Sequence, residues 1–408
     1  MGDILFLAHR VPFPPNRGDK IRAHHLLKKL ARIAPVHAGC VAESEEDRAG
    51  KEELDAITAT HCIADRNKPL ALAGVEALLK QRPVSLTAFD SPRLRSWVRE
   101  TIAAHNVTTI VIFSGQMGQY VPDHFDGRVV IDLCDVDSAK FENYAAAGQR
   151  AWINAREGRL LAQEEERLAR RADATVLISE NEAALFRSRL SAPALVNVQV
   201  IGNGIDAAFF DPAKSQPHTE LTPTTGPHFV FTGQMDYSPN EEAALWVARE
   251  FMPRMRQLEP QARFHIVGRN PTKSLLACDG TNGVKVWGEV ADVRPFIAGA
   301  SAVLAPLQIA RGVQNKVLEA MAMARPVILS PQAATGINAK DGEDWLLCEN
   351  DAQLMAERAA GLLQDKDAMF DLGSRARQFV LDHHDWDAML SPLDSLLDAE
   401  AWEAQNVA

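Results

Sequence analysis

Short apolar runs recur along the chain, with amphipathic stretches between them. In the first half these runs are Asp3–His9 (DILFLAH), Thr108–Ser114 (TTIVIFS), Arg128–Asp135 (RVVIDLCD) and Ala174–Ser179 (ATVLIS). They are near-continuous rather than alternating, which predicts strands of a parallel sheet buried on both faces. A Pro-rich loop, Val11–Lys20, leads into a predicted basic helix over Ile21–Ile33, and a long charged helix is predicted over Trp152–Arg171. Near residue 200 the pattern restarts with VQVIGNGID (Val198–Asp206). The polar, Pro- and Thr-rich stretch Asp211–Pro227 then reads as a domain connection. A second strand–helix series follows: His228–Gly233, Arg263–Gly268, Val284–Gly288, Ser301–Leu307 and Pro326–Ser330. From Asp365 onward the chain is predicted helical, with Trp386, Leu390, Leu393, Leu396 and Leu397 as its apolar face. The expected fold class is α/β: two doubly wound domains facing each other across a cleft. Residues 1–205 form the first and 206–380 the second, and a helical tail, 381–408, packs back toward the first.

One segment of this pattern carries chemistry. Between the strand candidates Ser301–Leu307 and Pro326–Ser330 lies RGVQNKVLEAMAMAR, with Arg311-Gly312 as a turn and Asn315 as a helix N-cap. Leu318, Met321, Ala322 and Arg325 follow at helical spacing until Pro326 ends the helix. In an open α/β sheet, ligands bind in the crevice outside the strands' carboxyl ends. Lys316, in the first turn beside free backbone N–H groups, suits a phosphate. Glu319, one turn on, suits the hydroxyls of a sugar. The segment reads as half of a nucleotide-sugar site.

Composition narrows the rest. A chain of 408 residues predicts two domains or three. Its net charge of -11 argues against general nucleic-acid binding. The five cysteines are scattered and lack zinc-ligand spacing, so neither a disulfide framework nor a metal cluster is expected, and a reducing cytosol fits best. Asp3–His9 is too short and too polar-flanked for a signal peptide, and no apolar run approaches membrane-spanning length. The expected setting is cytoplasmic, with peripheral contact at the inner face of the plasma membrane as an option.

Several further motifs stand in order: ISENE (Ile178–Glu182), IGNGID (Ile201–Asp206), FTGQMDYSPN (Phe231–Asn240), HIVGRNP (His265–Pro271), VWGEVADVRPFIAGA (Val286–Ala300) and KVLEAMAMARPVI (Lys316–Ile328). In this order they resemble the retaining glycosyltransferases of family 4, whose two Rossmann-like domains form the GT-B fold. The resemblance spans nearly the whole chain and is strongest from Ile178 onward. Three stretches resemble a bacterial subgroup of sugar transferases associated with exosortase/PEP-CTERM exopolysaccharide systems. They are HRVPFPPNRGDKIRAHHLL (His9–Leu27), DLCDVDSAKF (Asp132–Phe141) and GVQNKVLEAMA (Gly312–Ala322).

What the resemblance implies can be written residue by residue. Gly233 and Gln234, Gly268 and Arg269, Gly288, Glu289 and Val290, Gly312 and Glu319 are the expected donor-binding residues, Glu319 as the ribose ligand. Arg17, Gly18, Asp19 and Lys20 occupy the place of a loop facing the acceptor, although Asp19 also reads as a plain helix cap. Two departures stand out. Family members usually carry an Arg and a Lys after the glycine corresponding to Gly233, where this chain has Gln234, Met235 and Asp236. The family pattern also has two glutamates eight positions apart; Glu319 matches the second, but Arg311 stands at the first. Lys316 and Arg311 are therefore expected to neutralise the diphosphate, with Asp135, at the end of a first-domain strand, as the third candidate catalytic residue.

The implied activity is transfer of a sugar from a nucleotide-diphosphate sugar to a hydroxyl on a glycan or lipid-linked acceptor, with retention and without a metal. No cofactor is expected beyond the nucleotide sugar as co-substrate. The basic helix Ile21–Ile33 reads either as a solvated face or as a contact with an anionic bilayer or a polyprenyl-diphosphate acceptor. Two alternatives stay open: a nucleotide-sugar 2-epimerase of the same architecture, and a non-catalytic nucleotide-sugar-binding subunit.

Overall fold

The computed structural model describes residues 2–398 except 67, 147, 223, 225, 311 and 312. Two compact units divide the chain: Met1–Asn203 together with Met389–Ala408, and Gly204–Ala388.

The first unit is built on a parallel sheet of β1 (Asp3–Ala8), β2 (Val36–Ala42), β3 (Thr60–Asp65), β4 (Val107–Phe113), β5 (Arg128–Cys134), β6 (Ala174–Leu177) and β7 (Val198–Val200). Their spatial order is β3-β2-β1-β4-β5-β6-β7, so the winding reverses between β1 and β4. The apolar runs predicted β1, β4, β5 and β6. Strands β2 and β3 escaped that reading because polar or small residues break their patterns. The buried His37 hydrogen-bonds Asp3 Oδ2 at 3.1 Å and Thr60 Oγ1 at 2.8 Å, which lets an imidazole sit inside the sheet. Gly39 is small for a packing reason: a Cβ there would stand 2.8 Å from Leu7 and 2.9 Å from Leu94.

The basic helix starts earlier than predicted and spans Gly18–Ile33. It does not present a uniform basic face. Leu26, Leu27 and Leu30 pack inward, and so do two of its cations. Lys20 is buried against Asp47, Nζ to Oδ1 at 2.5 Å. Arg22 is buried completely: Nε donates to Asp132 Oδ2 at 2.8 Å, Nη2 to the Ile201 carbonyl at 2.8 Å, and Nη1 to the Gly202 carbonyl at 3.0 Å and to Asn203 Oδ1 at 2.9 Å. One guanidinium thus ties the helix, β5 and the end of the IGNG segment, and its desolvation is met by a full set of acceptors.

The long helix Ala151–Arg171 buries two glutamates among its leucines, and each satisfies the start of a neighbouring helix. Glu157 accepts from Val84 N and Ser85 N, and Glu165 accepts from Ser138 N and Oγ. The last described helix, Pro392–Leu397, completes this unit by accepting a hydrogen bond at the Leu396 carbonyl from Arg128 at 3.0 Å. The expected apolar face of the tail is real, since Trp386, Leu390, Leu393, Leu396 and Leu397 are all buried.

The second unit repeats the plan with β8 (His228–Thr232), β9 (Arg263–Val267), β10 (Val284–Gly288), β11 (Ala302–Ala305), β12 (Val327–Leu329) and β13 (Leu346–Leu347). Their order is β10-β9-β8-β11-β12-β13, all parallel, with the winding reversed between β8 and β11. The stretch Asp211–Pro227, read from sequence as a connection, lies inside this unit instead. Leu221 is fully buried in its core, and His218 donates its backbone N–H to the Pro295 carbonyl and stacks on Phe296 at 4.6 Å.

The helix that carries Lys316 spans Asn315–Ala322. Asn315 is its first residue rather than its cap; Gln314 holds the cap position. Its end is set before Pro326 is reached. Ala324 takes φ 52°, its N–H bonds to the Met321 carbonyl, and Arg325 N bonds to the Ala320 carbonyl. This is a Schellman closure with alanine where glycine is usual.

Candidate functional site

In a doubly wound sheet the ligand crevice opens where the winding reverses. In the second unit that point lies between β8 and β11, and the expected donor residues gather around it. Gly233 directly follows β8, Gly268 directly follows β9, and Gly288 ends β10. Their backbones interlock: Gly233 N donates to the Val267 carbonyl at 3.1 Å, Gly268 N to the Gly288 carbonyl at 2.8 Å, and Met235 N to the Arg269 carbonyl at 2.9 Å. A Cβ on Gly268 would lie 1.6 Å from the Gly233 carbonyl oxygen, so only glycine fits there.

Lys316 reaches over the same strand end. A Cβ on Gly233 would stand 3.1 Å from Lys316 Nζ and 2.9 Å from Asn240 Nδ2. Lys316 Nζ donates to Asn240 Oδ1 at 2.5 Å and lies 4.3 Å from the centre of the Phe231 ring. Asn240 in turn donates from Nδ2 to the Gln234 carbonyl at 2.9 Å. The half-buried ammonium has a neutral amide and an aromatic face as neighbours, and no salt bridge to a carboxylate among the described residues. Burial pushes its pKa down to about 8, the charge of Glu319 opposing the shift. Near pH 7 it is protonated, and the charge of Glu319 only partly offsets the cost of its burial. The backbone N–H groups of Asn315 and Lys316 have no acceptor among the described residues. The helix dipole therefore adds positive potential at the same place.

Glu319 stands one turn further along. Burial pushes its carboxyl up to about 7, with the charge of Lys316 pulling the other way. Its side chain makes no hydrogen bond among the described residues, which leaves both oxygens available to a ligand. Arg269 supplies a second cation from the adjacent strand end, with Nη2 donating to Gln234 Oε1 at 2.8 Å. The cations expected after Gly233 are thus absent from the sequence position but not from the space: Arg269 meets Gln234 there. Glu289 and Val290 follow Gly288 at the β10 end, Glu289 exposed and Val290 packed on the core. Arg311 and Gly312, expected at this site, lie outside the described residues.

Asn240 was not singled out from the sequence, although it closes the FTGQMDYSPN motif. Its signal was position: an Asn in the first turn of the helix Ser238–Trp246, which follows a strand-end glycine.

The expected acceptor-side residues lie in the first unit and are described by themselves. Gly18 begins the basic helix, and a Cβ there would meet nothing within 4 Å. Asp19 is not the cap; Arg17 occupies that position, without a side-chain cap bond. Asp19 instead receives Arg17 Nε at 2.9 Å, Arg10 Nη1 and His9 Nε2 at 3.3 Å. Burial opposes ionisation there. The His9 hydrogen bond and the charges of Arg10, His9 and Arg17 outweigh it and hold the carboxyl below its usual range. Lys20, expected to face a ligand, is consumed by Asp47 and buried. An ammonium so enclosed cannot also meet an acceptor.

Asp135 follows an unusual turn. Cys134 takes φ 65°, and Asp135 N donates back to the Leu133 carbonyl at 2.9 Å, a γ-turn-like hydrogen bond closed across a strained residue. The Asp135 carboxyl is raised by burial and by the charge of Glu182, and Asp137 beside it is raised chiefly by burial. Both line a small hollow at the end of β5 with Glu164 and Glu165, the latter pushed up to about 7 by burial.

Residues 226–365, most of the second unit, match the family described as Glycosyl transferases group 1. Among solved structures, the chain is similar to sucrose-phosphate synthase (tll1590) from Thermosynechococcus elongatus. Identity is 18%, with 99% of this chain and 100% of that one covered and a TM-score of 0.60. It is similar to Anabaena Alr3699/HepE in complex with UDP at 15% identity, covering 97% and 99%, with a TM-score of 0.62. A glycosyltransferase from Rickettsia africae ESF-5 matches at 13% identity, with 98% of both chains covered and a TM-score of 0.58. No curated protein sequence matches the chain. The fold is GT-B, and the similarity to the glycosyl transferases group 1 family lies in residues 226–365 of its second unit.

Proposed function

We propose that this protein is a glycosyltransferase that moves a sugar from a nucleotide-diphosphate sugar to a hydroxyl acceptor. The carrying observation is Lys316, a cation in no salt bridge among the described residues, held by Asn240 over the strand-end glycine Gly233, with Glu319 one turn away and free of hydrogen bonds among those residues. That arrangement suits a diphosphate at Gly233 and a ribose at Glu319. The solved Anabaena HepE structures, with UDP and with UDP-glucose, support the choice of donor class.

Breaking the bond between the anomeric carbon and the donor phosphate releases negative charge onto the diphosphate. Lys316, Arg269 and the free N–H groups of Asn315 and Lys316 are preorganised to meet that charge as it develops. The acceptor hydroxyl oxygen forms the new bond to the anomeric carbon and passes its proton to the departing diphosphate. Retention of configuration, a metal-independent reaction and a role in exopolysaccharide or other cell-surface glycan synthesis belong to the same reading, and rest on the motif resemblance. So does a cytoplasmic setting with no further cofactor.

The test is mass spectrometry of the purified protein with a panel of nucleotide sugars and acceptors, repeated with Lys316→Ala. Wild-type turnover and its loss in the variant are expected. Donor binding with neither transfer nor hydrolysis would instead favour a binding subunit, and interconversion of free donor an epimerase.

A further inference from the structure

We propose that the helix Leu70–Leu79, together with the basic groove beside Trp152, docks this protein on an anionic lipid bilayer. This inference does not depend on the proposed sugar transfer.

The helix reads LALAGVEALL and packs in an inverted sense. Its buried residues are Ala73 and Ala77, while its large apolar side chains face out. On a helical wheel Leu72, Val75, Leu78 and Leu79 fall on the face opposite the two alanines. Their exposures are 60%, 56%, 50% and 82%. With Leu70 they leave roughly 500 Å² of mainly apolar surface uncovered, at the upper end for the largest patch on a monomer. Ordinary core formation would have turned this helix around. Its orientation is held from behind, where Arg156 Nη2 donates to the Ala77 carbonyl at 2.8 Å and to the Arg82 carbonyl at 3.3 Å.

The apolar face continues into a groove of about 830 Å³ whose lining includes Leu78, Trp152, Arg156 and Arg159 and contains no carboxylate. Trp152 is 67% exposed and Ile153 next to it is also exposed. The one acid on the helix, Glu76, is already neutralised by Lys68 and Lys80, each at 2.7 Å. On the neighbouring helix Glu157 is buried and turned to Val84 and Ser85. Arg159 and Arg156 therefore present positive charge with no paired carboxylate among the described residues, in a chain whose net charge is -11.

Charge decides the occupant. A second copy placed by a two-fold axis would set this basic groove against itself, a like-charge contact. An anionic bilayer offers phosphate to the arginines, an interfacial layer to Trp152 and acyl chains to the leucines. The surface also differs from the basic helix Gly18–Ile33. There Lys20 and Arg22 are buried in ion pairs and Lys29 is bound to Asp394 at 2.7 Å.

The experiment is vesicle flotation of the full chain with phosphatidylcholine alone and with 30% phosphatidylglycerol added. Binding to the anionic vesicles only, weakened at least tenfold by Leu72→Ser/Val75→Ser/Leu79→Ser and severalfold by Arg159→Glu, is expected. All four residues are exposed, so unchanged thermal melts should accompany the loss. No binding to anionic vesicles would overturn the proposal. So would binding lost in Lys28→Glu/Arg32→Glu but kept in the triple variant. Light scattering that shows a dimer abolished by the triple variant would overturn it in favour of self-association.

Discussion

Lys316 makes a quantitative test available before any substrate is known. Its ammonium lies at a pKa of about 8 in the folded protein against an ordinary 10.5. At pH 7 the charged form is therefore disfavoured by folding by about 3 kcal/mol. Against that, a neutral replacement forgoes the hydrogen bond to Asn240 and the contact with Phe231, together worth about 1–2 kcal/mol. Lys316→Met removes the charge but keeps the bulk, so the variant should be more stable than wild type by about 1–2 kcal/mol at pH 7. For a unit of this size that is a rise of about 3–7 °C in melting temperature. The sign with pH follows from the depressed pKa. The penalty is complete below pH 8, where Lys316 is protonated in both states. It fades between pH 8 and 10.5, where the folded state sheds its proton first. Calorimetric melts at pH 7 and pH 10 read both effects, and donor affinity should fall in the same variant by a hundredfold or more. A variant less stable than wild type at pH 7, or a stability gap that does not narrow toward pH 10, would refute the account of Lys316 as a cation penalised by its burial.

Other outcomes follow from the same geometry. Glu319, at about 7, should make donor affinity rise as pH increases through neutrality, since its carboxylate is the stronger hydrogen-bond acceptor; titration calorimetry from pH 6 to 8 should find this rise gone in Glu319→Gln. Gly268→Ala forces a Cβ into the Gly233 carbonyl and should abolish donor binding, with a loss of stability of several kcal/mol visible in urea unfolding. Ala324→Gly relieves a left-handed alanine and should stabilise the protein by about 0.5–1 kcal/mol, read as a higher melting temperature. Arg22→Met leaves Asp132 buried without its partner and should cost about 3–5 kcal/mol, measured by denaturant unfolding.

The readable parts of this protein were those where one physical requirement dominates. Buried parallel strands demand uninterrupted apolar runs, so β1, β4, β8 and β11 announced themselves. The strand-end glycines did too, because close backbone approach excludes every other residue. Strand β2 was hidden because its polar His37 is satisfied by Asp3 and Thr60, partners far away in sequence. Arg22 and Lys20 were misjudged for the same reason. In sequence they belong to a run of basic residues, and only folding brings Asp132 and Asp47 to them. Asn240 illustrates the remaining limit: its role is to hold another side chain, and the spacing of 76 residues between it and Lys316 carries no periodic signal.

The helix Pro392–Leu397 has a consequence for how this chain comes into being. It belongs to the first unit, where its Leu396 carbonyl receives Arg128 and its Asp394 meets Lys29, yet the whole of the second unit is synthesised before it. The first unit to leave the ribosome is thus the last to be finished. Until translation passes residue 397, the start of β5 lacks this cover and Lys29 lacks its partner. A nascent chain halted within the second unit should display an open first unit, and release of the final segment should close it. Order of synthesis and order of completion run in opposite directions here.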